Sequence, residues 1–369
     1  MQNSKLQLKI KNLKDTNVKG KTVFLRADLD VPLVSGKIED DTRLLSAIPT
    51  IEYLLKHNAK IIIAGHLGRP KGADKTLSLE SVAEWFFKEL KILNSKFEFK
   101  LKIENLKFTK LGDFEAWQLT DNVFLLENLR FHAGEEKNNP EFAKKLALLA
   151  DIYVNDAFAM THRNHASIVG VTKFLPHFTG FHLEEEVENL TRAMDNPKRP
   201  LVVIVGGKKI ETKLPLVEKM HRIADYVLVG GKIAQESKAL VKVQHEQITG
   251  KKAVLMVADA IPDGSDITDK DAENFLQIIS LAKTIVWNGS MGIIGGAAEN
   301  LESEKGTKKI AEGILKTNAY AIVGGGDTVE YLNKLGVLSK FSFASTGGGA
   351  MLAFFSGEKL PGLVALEKT

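Results

Sequence analysis

Short apolar runs alternate with helix-length amphipathic patterns over almost the whole chain, and this repetition limits the fold more than any other feature of the sequence. In the first half the runs are Thr22 to Leu25, Lys60 to Ala64, Val123 to Leu126 and Ile152 to Val154. In the second half they are Leu201 to Val205, Tyr226 to Val229, Thr284 to Trp287 and Ala319 to Val323. Each has the length of a strand buried on both faces, and each runs into a polar or glycine-bearing segment. Between them lie patterns such as Leu45, Ile48, Ile51, Leu54 and Leu55, whose spacing gathers apolar groups on one helix face. Alternation of this kind builds parallel sheet. Ligands of open parallel sheets collect beyond the carboxyl ends of the strands, so the residues just after each run are the functional candidates.

A chain of 369 residues exceeds what one core usually organises. The reading is therefore α/β, with two doubly wound, Rossmann-like parallel-sheet domains joined by a hinge helix. Leu183, Val187, Leu190 and Met194 repeat at helical spacing, and Asn196-Pro197-Lys198-Arg199-Pro200 ends the pattern. The segment reads as that connecting helix, with an ordinary surface helix of one domain as the other reading. The expected division is 1–181 and 182–354. Apolar residues at 44% and charged residues at 26% exclude a disordered chain. The lack of cysteine removes thiolate metal sites and disulfides and fits a reducing cytoplasm. No apolar run approaches membrane-spanning length, and a net charge of +4 is too small to make nucleic acid the main partner. A soluble cytoplasmic protein acting on small molecules is expected.

Strand ends in the first half repeat one chemistry: Arg26-Ala27-Asp28-Leu29-Asp30, His66-Leu67-Gly68-Arg69-Pro70, Asn128-Leu129-Arg130, and Asn155-Asp156-Ala157-Phe158 running on to His162-Arg163-Asn164-His165. Arg43 follows the acidic pair Asp40-Asp41. A single arginine after a strand is usually a solvated charge. Several converging from different loops suit a small ligand bearing phosphate and carboxylate, since guanidinium binds both through paired planar hydrogen bonds. The aspartates are placed to hold a hydroxyl. His66 reads as an anion donor, and His162 and His165 as local hydrogen-bonding groups, with general base and metal ligand as the other roles open to them.

In the second half, Gly206-Gly207-Lys208-Lys209-Ile210-Glu211-Thr212-Lys213 follows a strand and opens a helix. Glycine admits an anion to the backbone and lysine supplies mobile positive charge. Gly324-Gly325-Gly326-Asp327-Thr328 follows another strand, with Asp327 a candidate magnesium ligand and Thr328 a candidate cap. Gly347-Gly348-Gly349 forms a third glycine loop. Each cluster alone could be a tight turn; together they favour nucleotide phosphates. Neither a Walker A loop nor a dinucleotide glycine fingerprint is present.

With both sites assembled, the sequence resembles the phosphoglycerate kinase family from Arg26 to Leu366. The resemblance is carried by Arg-Ala-Asp-Leu-Asp-Val-Pro from Arg26, Asp-Asp-Thr-Arg ending at Arg43, Gly-His-Leu-Gly-Arg-Pro from Gly65, and Glu-Asn-Leu-Arg-Phe from Glu127. It continues through Asn-Asp-Ala-Phe from Asn155, Trp-Asn-Gly from Trp287, Gly-Gly-Gly-Asp-Thr from Gly324 and Ser-Thr-Gly-Gly-Gly-Ala from Ser345. It implies reversible transfer between 1,3-bisphosphoglycerate with MgADP and 3-phosphoglycerate with MgATP, without a covalent enzyme intermediate. It further implies that Asp28, Asp30, Arg43, His66, Arg69, Arg130 and Arg163 hold the glycerate and its phosphate. Gly207, Lys209, Lys213, Gly325, Gly326, Asp327 and Thr328 would face the nucleotide, with Asp327 anchoring Mg2+. Arg43, Lys209 and Lys213 would be catalytic, Lys209 as the mobile lysine of transfer. The tail, 355–369, is expected to pack back on the first domain, and the chain to act as a monomer.

Departures from the family pattern gather near the nucleoside. Ser290 stands where proline usually follows Trp-Asn-Gly, and the glutamate expected at the ribose is nominally Gly295. Lys208 replaces a small residue, Lys232 interrupts a glycine run, and the Asp-Ile-Gly-Pro segment survives only as Asp266-Ile267. In the first half, Asp30 replaces an asparagine and Ala159-Met160-Thr161 is unusual. Relaxed or rebuilt adenosine recognition is the expectation. Two other readings are weaker: a non-catalytic binding protein on the same fold, against which Arg43, Lys209, Lys213 and Asp327 argue, and a dinucleotide oxidoreductase.

Overall fold

The computed structural model describes residues 10–208, 210–234, 253–295 and 301–367, without the side chains of 210–212 and 301. It separates into two compact units, one holding 10–186 with 359–367 and the other 187–358.

The first unit is built on a seven-stranded sheet whose order is Lys107–Leu111, Phe114–Gln118, Val123–Leu126, Lys60–Ala64, Thr22–Arg26, Ile152–Asn155, His177–Thr179. From Val123–Leu126 onward every pairing is parallel, while Lys107–Leu111 and Phe114–Gln118 form an antiparallel hairpin at one edge. That hairpin lies outside the sequence expectation: its first strand is largely exposed and lacks an apolar run, so only the Gly112 turn signals it. Alternation along each strand sets the two faces. Val23, Leu25, Ile61 and Ile63 pack with Leu44, Ile51 and Leu54 of helix Thr42–Lys56 and with Phe86 and Leu90 of helix Glu80–Phe97. Phe24 and Arg26 point to the opposite face, where Phe24 meets Tyr153.

The second unit carries a six-stranded, wholly parallel sheet in the order Val254–Val257, Tyr226–Val229, Leu201–Val205, Thr284–Asn288, Tyr320–Gly324, Phe343–Ser345. In chain order that is 3-2-1-4-5-6, the arrangement of a doubly wound dinucleotide-type sheet, which reverses direction between Leu201–Val205 and Thr284–Asn288. Val202, Ile204, Ile285 and Trp287 pack against helices Asp269–Leu281 and Leu301–Leu315 through Phe275, Ile279, Ile310 and Ile314. Helix Ile210–Ile223 contacts the first two strands of this unit and packs on helix Gly349–Ser356.

Helix Phe181–Asp195 is continuous across the division between the units. Its first turn is capped by a buried acid. Asp156 Oδ1 accepts from the backbone N–H groups of His182 at 2.9 Å and Leu183 at 3.2 Å, donors that have no partner within the helix. At the other end of the chain, Gly362 N–H donates to Thr161 O at 2.8 Å and Ile10 bridges Glu367.

Candidate functional site

In the first unit the switch in strand order falls beside Thr22–Arg26, and the polar residues follow from four strand ends. Glu127 and Asn128 fix two of those ends to each other. The Glu127 carboxylate accepts from the Ser78 hydroxyl and from the Leu79 N–H, while Asn128 Nδ2 donates to Leu67 O at 2.8 Å and Leu77 O at 2.9 Å. Asn128 Oδ1 accepts from Arg130 N–H at 3.1 Å, and Arg130 NH1 donates to Gly68 O at 2.6 Å. The Glu-Asn-Leu-Arg sequence thus pins its arginine beside the Gly68 loop. Asp40 performs a similar service for Arg43: its Oδ1 accepts from Thr42 N–H at 2.8 Å at the start of the helix, which puts Arg43 in the first turn.

Arg43 reaches Asp28 at 3.5 Å, donates to Asp30 O at 2.8 Å and lies 3.8 Å from Asp30 Oδ2. Its pKa is raised, foremost by Asp28, so it stays charged. Asp30 Oδ1 accepts from Gly68 N–H at 2.8 Å and its Oδ2 lies 3.8 Å from His66 Nε2. His66 is buried, and burial followed by the Arg26 charge holds its pKa well below the ordinary histidine value. Asp28, Asp30, Arg43, His66 and Arg130 are therefore one connected cluster, with Arg69 and Arg163 exposed on the neighbouring loops. His162 and His165 are pushed down to about 4, by burial first and then by Arg163 and Arg130 respectively, which leaves both neutral near pH 7. Three groups in this cluster were not singled out from the sequence: Arg26 as a buried hub, Glu135 and Ser167. The Glu135-Glu136 pair shortly after Arg130 is a faint signal, since Glu136 lies 3.2 Å from Arg130 Nε; Ser167 offers none.

In the second unit the glycines do their work at the point where strand order reverses. A Cβ on Gly206 would collide with the Ser290 carbonyl, and one on Gly289, whose φ is +95°, would collide with Gly206 O and Lys213 Nζ. The two strand ends consequently touch, with Gly206 N–H donating to Asn288 O at 3.0 Å. Trp287, fully buried, donates from Nε1 to Gly289 O at 2.9 Å and holds the turn from beneath. Lys213 is buried, with its ammonium on Gly206 O and, at 3.3 Å, on Asn288 O. Gly207 has φ +96° and Lys208 is exposed beside it. Lys209 lies outside the described residues.

Gly325, at φ +97°, turns the chain into helix Gly326–Lys334; Asp327 stands exposed on its first turn and Thr328 is buried beneath it. No group of three or more His, Cys, Asp or Glu among the described residues could cage a metal. A magnesium ion that keeps water and nucleotide phosphate oxygens needs only one or two protein carboxylates, so an exposed Asp327 at a glycine-turned helix start fits a nucleotide-borne Mg2+. The loop that follows Trp287-Asn288-Gly289 is closely stapled: Thr307 Oγ1 accepts from Met291 N–H at 3.0 Å, Ser303 Oγ donates to Ile293 O at 2.8 Å, and Gly295 N–H donates to Glu304 at 3.3 Å. Lys232 is exposed.

No helix among the described residues is long and apolar enough to cross a membrane. A family model described as phosphoglycerate kinase matches residues 13–254 and 236–358. Curated proteins named phosphoglycerate kinase from Moorella thermoacetica and Dictyoglomus turgidum are each 38% identical to the chain, covering 96% and 97% of it and 98% of their own length. Among solved structures, phosphoglycerate kinase from Coxiella burnetii matches with a TM-score of 0.77 at 32% identity, over 97% of this chain and 98% of that one. The enzyme from Pyrococcus horikoshii matches with a TM-score of 0.76 at 31% identity over the same shares. Agreement of the two-sheet architecture, the ordered motifs and these near-complete matches shows that the chain belongs to the phosphoglycerate kinase family of phosphotransferases.

Proposed function

We propose that the chain transfers a phosphoryl group reversibly between 1,3-bisphosphoglycerate with MgADP and 3-phosphoglycerate with MgATP. One observation carries the residue-level reading: a connected arginine cluster at the strand ends of one unit and a glycine–lysine loop at the strand-order switch of the other. In this assignment Asp28, Asp30, Arg43, His66, Arg69, Arg130 and Arg163 bind the acid phosphate. Gly207, Lys209, Lys213 and Gly325 to Thr328 bind the nucleotide, and Asp327 holds the Mg2+ that shields charge on its phosphates. The first domain with the returning tail is thus the acid-binding one, and the domain from the connecting helix to Glu358 the nucleotide-binding one.

The nucleophile in the kinase direction is a carboxylate oxygen, already ionised at neutral pH, so no general base is required. That fits a site whose histidines all have lowered pKa values and so take up a proton weakly. What the protein supplies is position and positive charge on the moving phosphoryl group. Arg43 is kept charged by Asp28. Lys213, held by two backbone carbonyls before substrate arrives, can exchange those partners for phosphate oxygens. The monomer is the working unit because one chain carries both half-sites, and the cytoplasm the compartment because its nucleotide and acid phosphate substrates are held there.

Adenosine recognition is relaxed in this reading. Gly295 offers no side chain to a ribose, and its N–H is taken by Glu304. A coupled assay with 3-phosphoglycerate and MgATP, and in reverse with ADP and its 2′-deoxy and 3′-deoxy analogues, tests both statements. Turnover is expected, with the three diphosphates within about tenfold of one another, no more than one ordinary hydrogen bond is worth. No turnover would refute the function; a strict preference for ADP would refute the relaxed nucleoside site alone.

A further inference from the structure

Arg26 sits at the carboxyl end of an inner strand of the first sheet, yet none of it reaches solvent. Its Nε donates to Ser167 Oγ at 2.9 Å, NH1 donates to Ala27 O at 2.5 Å, and NH2 lies 3.3 Å from His66 Nδ1. A guanidinium has donors only. Nδ1 of His66 must therefore accept, and the single proton of the neutral ring belongs on Nε2, the nitrogen that faces Asp30 Oδ2 at 3.8 Å. On the far side, Ser167 Oγ donates to Glu135 Oε1 at 2.6 Å while Ser167 N–H donates to Oε2 at 2.9 Å. Glu135 is fully buried too, and Tyr153 OH fixes the turn by donating to Ser167 O at 2.7 Å. Burial raises the Glu135 pKa and Arg26 pulls it back, as expected of opposite charges joined through one hydroxyl. Ser167 lies in a π-helical turn, Ala166–Gly170, a geometry often found at functional sites.

We propose that Arg26, charge-balanced by Glu135 through the Ser167 hydroxyl, is a positioning residue that fixes His66 as its Nε2–H tautomer, so that His66 donates a hydrogen bond to an oxygen of the acid phosphate substrate. The inference rests on the assignment of the first cluster to that substrate. The bland alternative is that Arg26 and Glu135 are a buried ion pair whose loss only weakens the fold. The two differ in whether Ser167 acts through His66.

Long-range nitrogen–proton NMR of the ligand-free protein reads the tautomer directly. A His66 ring protonated on Nε2 alone is expected, and protonation on Nδ1 overturns the proposal whatever the enzyme catalyses. Kinetics of Ser167→Ala then read the consequence. The KM for 3-phosphoglycerate is expected to rise roughly tenfold, the effect of losing a hydrogen bond to a charged group, with the KM for MgATP within about twofold. Adding Ser167→Ala to His66→Ala should cost nothing further, because the hydroxyl works through the ring. Additive losses, or equal changes in both KM values, would assign the triad to folding alone. Glu135→Gln, which keeps an acceptor for Ser167, is the second variant should the first not fold, with the same outcomes read. An inactive wild type would refute the assigned reaction, while the tautomer would still decide the positioning role.

Discussion

The carboxylate of Asp30 is 39% accessible against 1% for Asp28, and in the proposed assignment it faces the acid phosphate substrate. Its Oδ1 accepts from Gly68 N–H, a bond an asparagine oxygen makes equally well. Asp30→Asn should therefore leave the loop in place and remove one negative charge beside Arg43 and His66. The KM for 3-phosphoglycerate is expected to fall about threefold to tenfold, on the order of 1 kcal/mol, with the gain shrinking as salt is added; steady-state kinetics at two ionic strengths measure both. An unchanged or higher KM would mean that Asp30 binds a substrate hydroxyl more strongly than it repels the charge. Such places in the cluster were legible in the sequence where residue type and strand-end position coincide, as for His66 and Arg130. They were not legible where the role depends on a partner distant in sequence. Nothing local distinguishes Arg26, which meets Ser167 from 141 residues away, from a solvated arginine, and Lys213 read as a phosphate contact gives no hint that it also closes two strand ends.

Among the elements, the long apolar strands were readable because burial on both faces forces continuous apolar runs, and their observed bounds differ from the runs by no more than a residue. Short or half-exposed strands such as His177–Thr179 and Lys107–Leu111 were not, since register with an existing sheet, not composition, makes them strands. The connecting helix was legible from its periodicity, but its cap was not. Asp156 is wholly buried and its pKa is pushed up to about 7, chiefly by burial, with the Thr50, Leu183 and His182 hydrogen bonds opposing the rise. The folded state then holds this proton more tightly than the unfolded chain, whose value is near 3.8. The contribution is fully present below about pH 4 and is lost as pH rises through 7. His182, one turn into the same helix, has the opposite sign: burial and then Arg43 lower it to about 4, so its contribution is present above about 6.5 and lost as pH falls through 4. Asp156→Asn keeps an acceptor for the cap and removes the buried charge. Relative to wild type it should gain stability as pH rises from 5 to 8, by about 1.4 kcal/mol for each tenfold difference in proton affinity that the substitution abolishes. Urea midpoints at the two pH values measure this, and a difference that does not change with pH would show that Asp156 is ionised throughout.

At the scale of the molecule, the assigned acid phosphate residues all belong to the unit 10–186 with 359–367 and the assigned nucleotide residues to 187–358. In-line transfer needs the attacking carboxylate oxygen about 3–3.5 Å from the phosphorus, and water must be kept from an acyl phosphate that it would hydrolyse. Under the proposed assignment each unit holds one substrate, so neither meets those conditions with its own residues. On that assignment the two bound substrates are expected to supply the free energy of the reactive arrangement, each alone supplying only part of it. Small-angle scattering of the whole chain with 3-phosphoglycerate alone, with MgADP alone, and with both, a pair that cannot react, should show a radius of gyration that falls clearly only in the third sample. Calorimetric titration should show the matching linkage: whatever factor MgADP adds to the affinity for 3-phosphoglycerate, 3-phosphoglycerate must add to that for MgADP. Equal radii in all samples together with independent binding would mean that the transfer geometry is already present in the free protein, and that catalysis here needs no closure of one unit on the other.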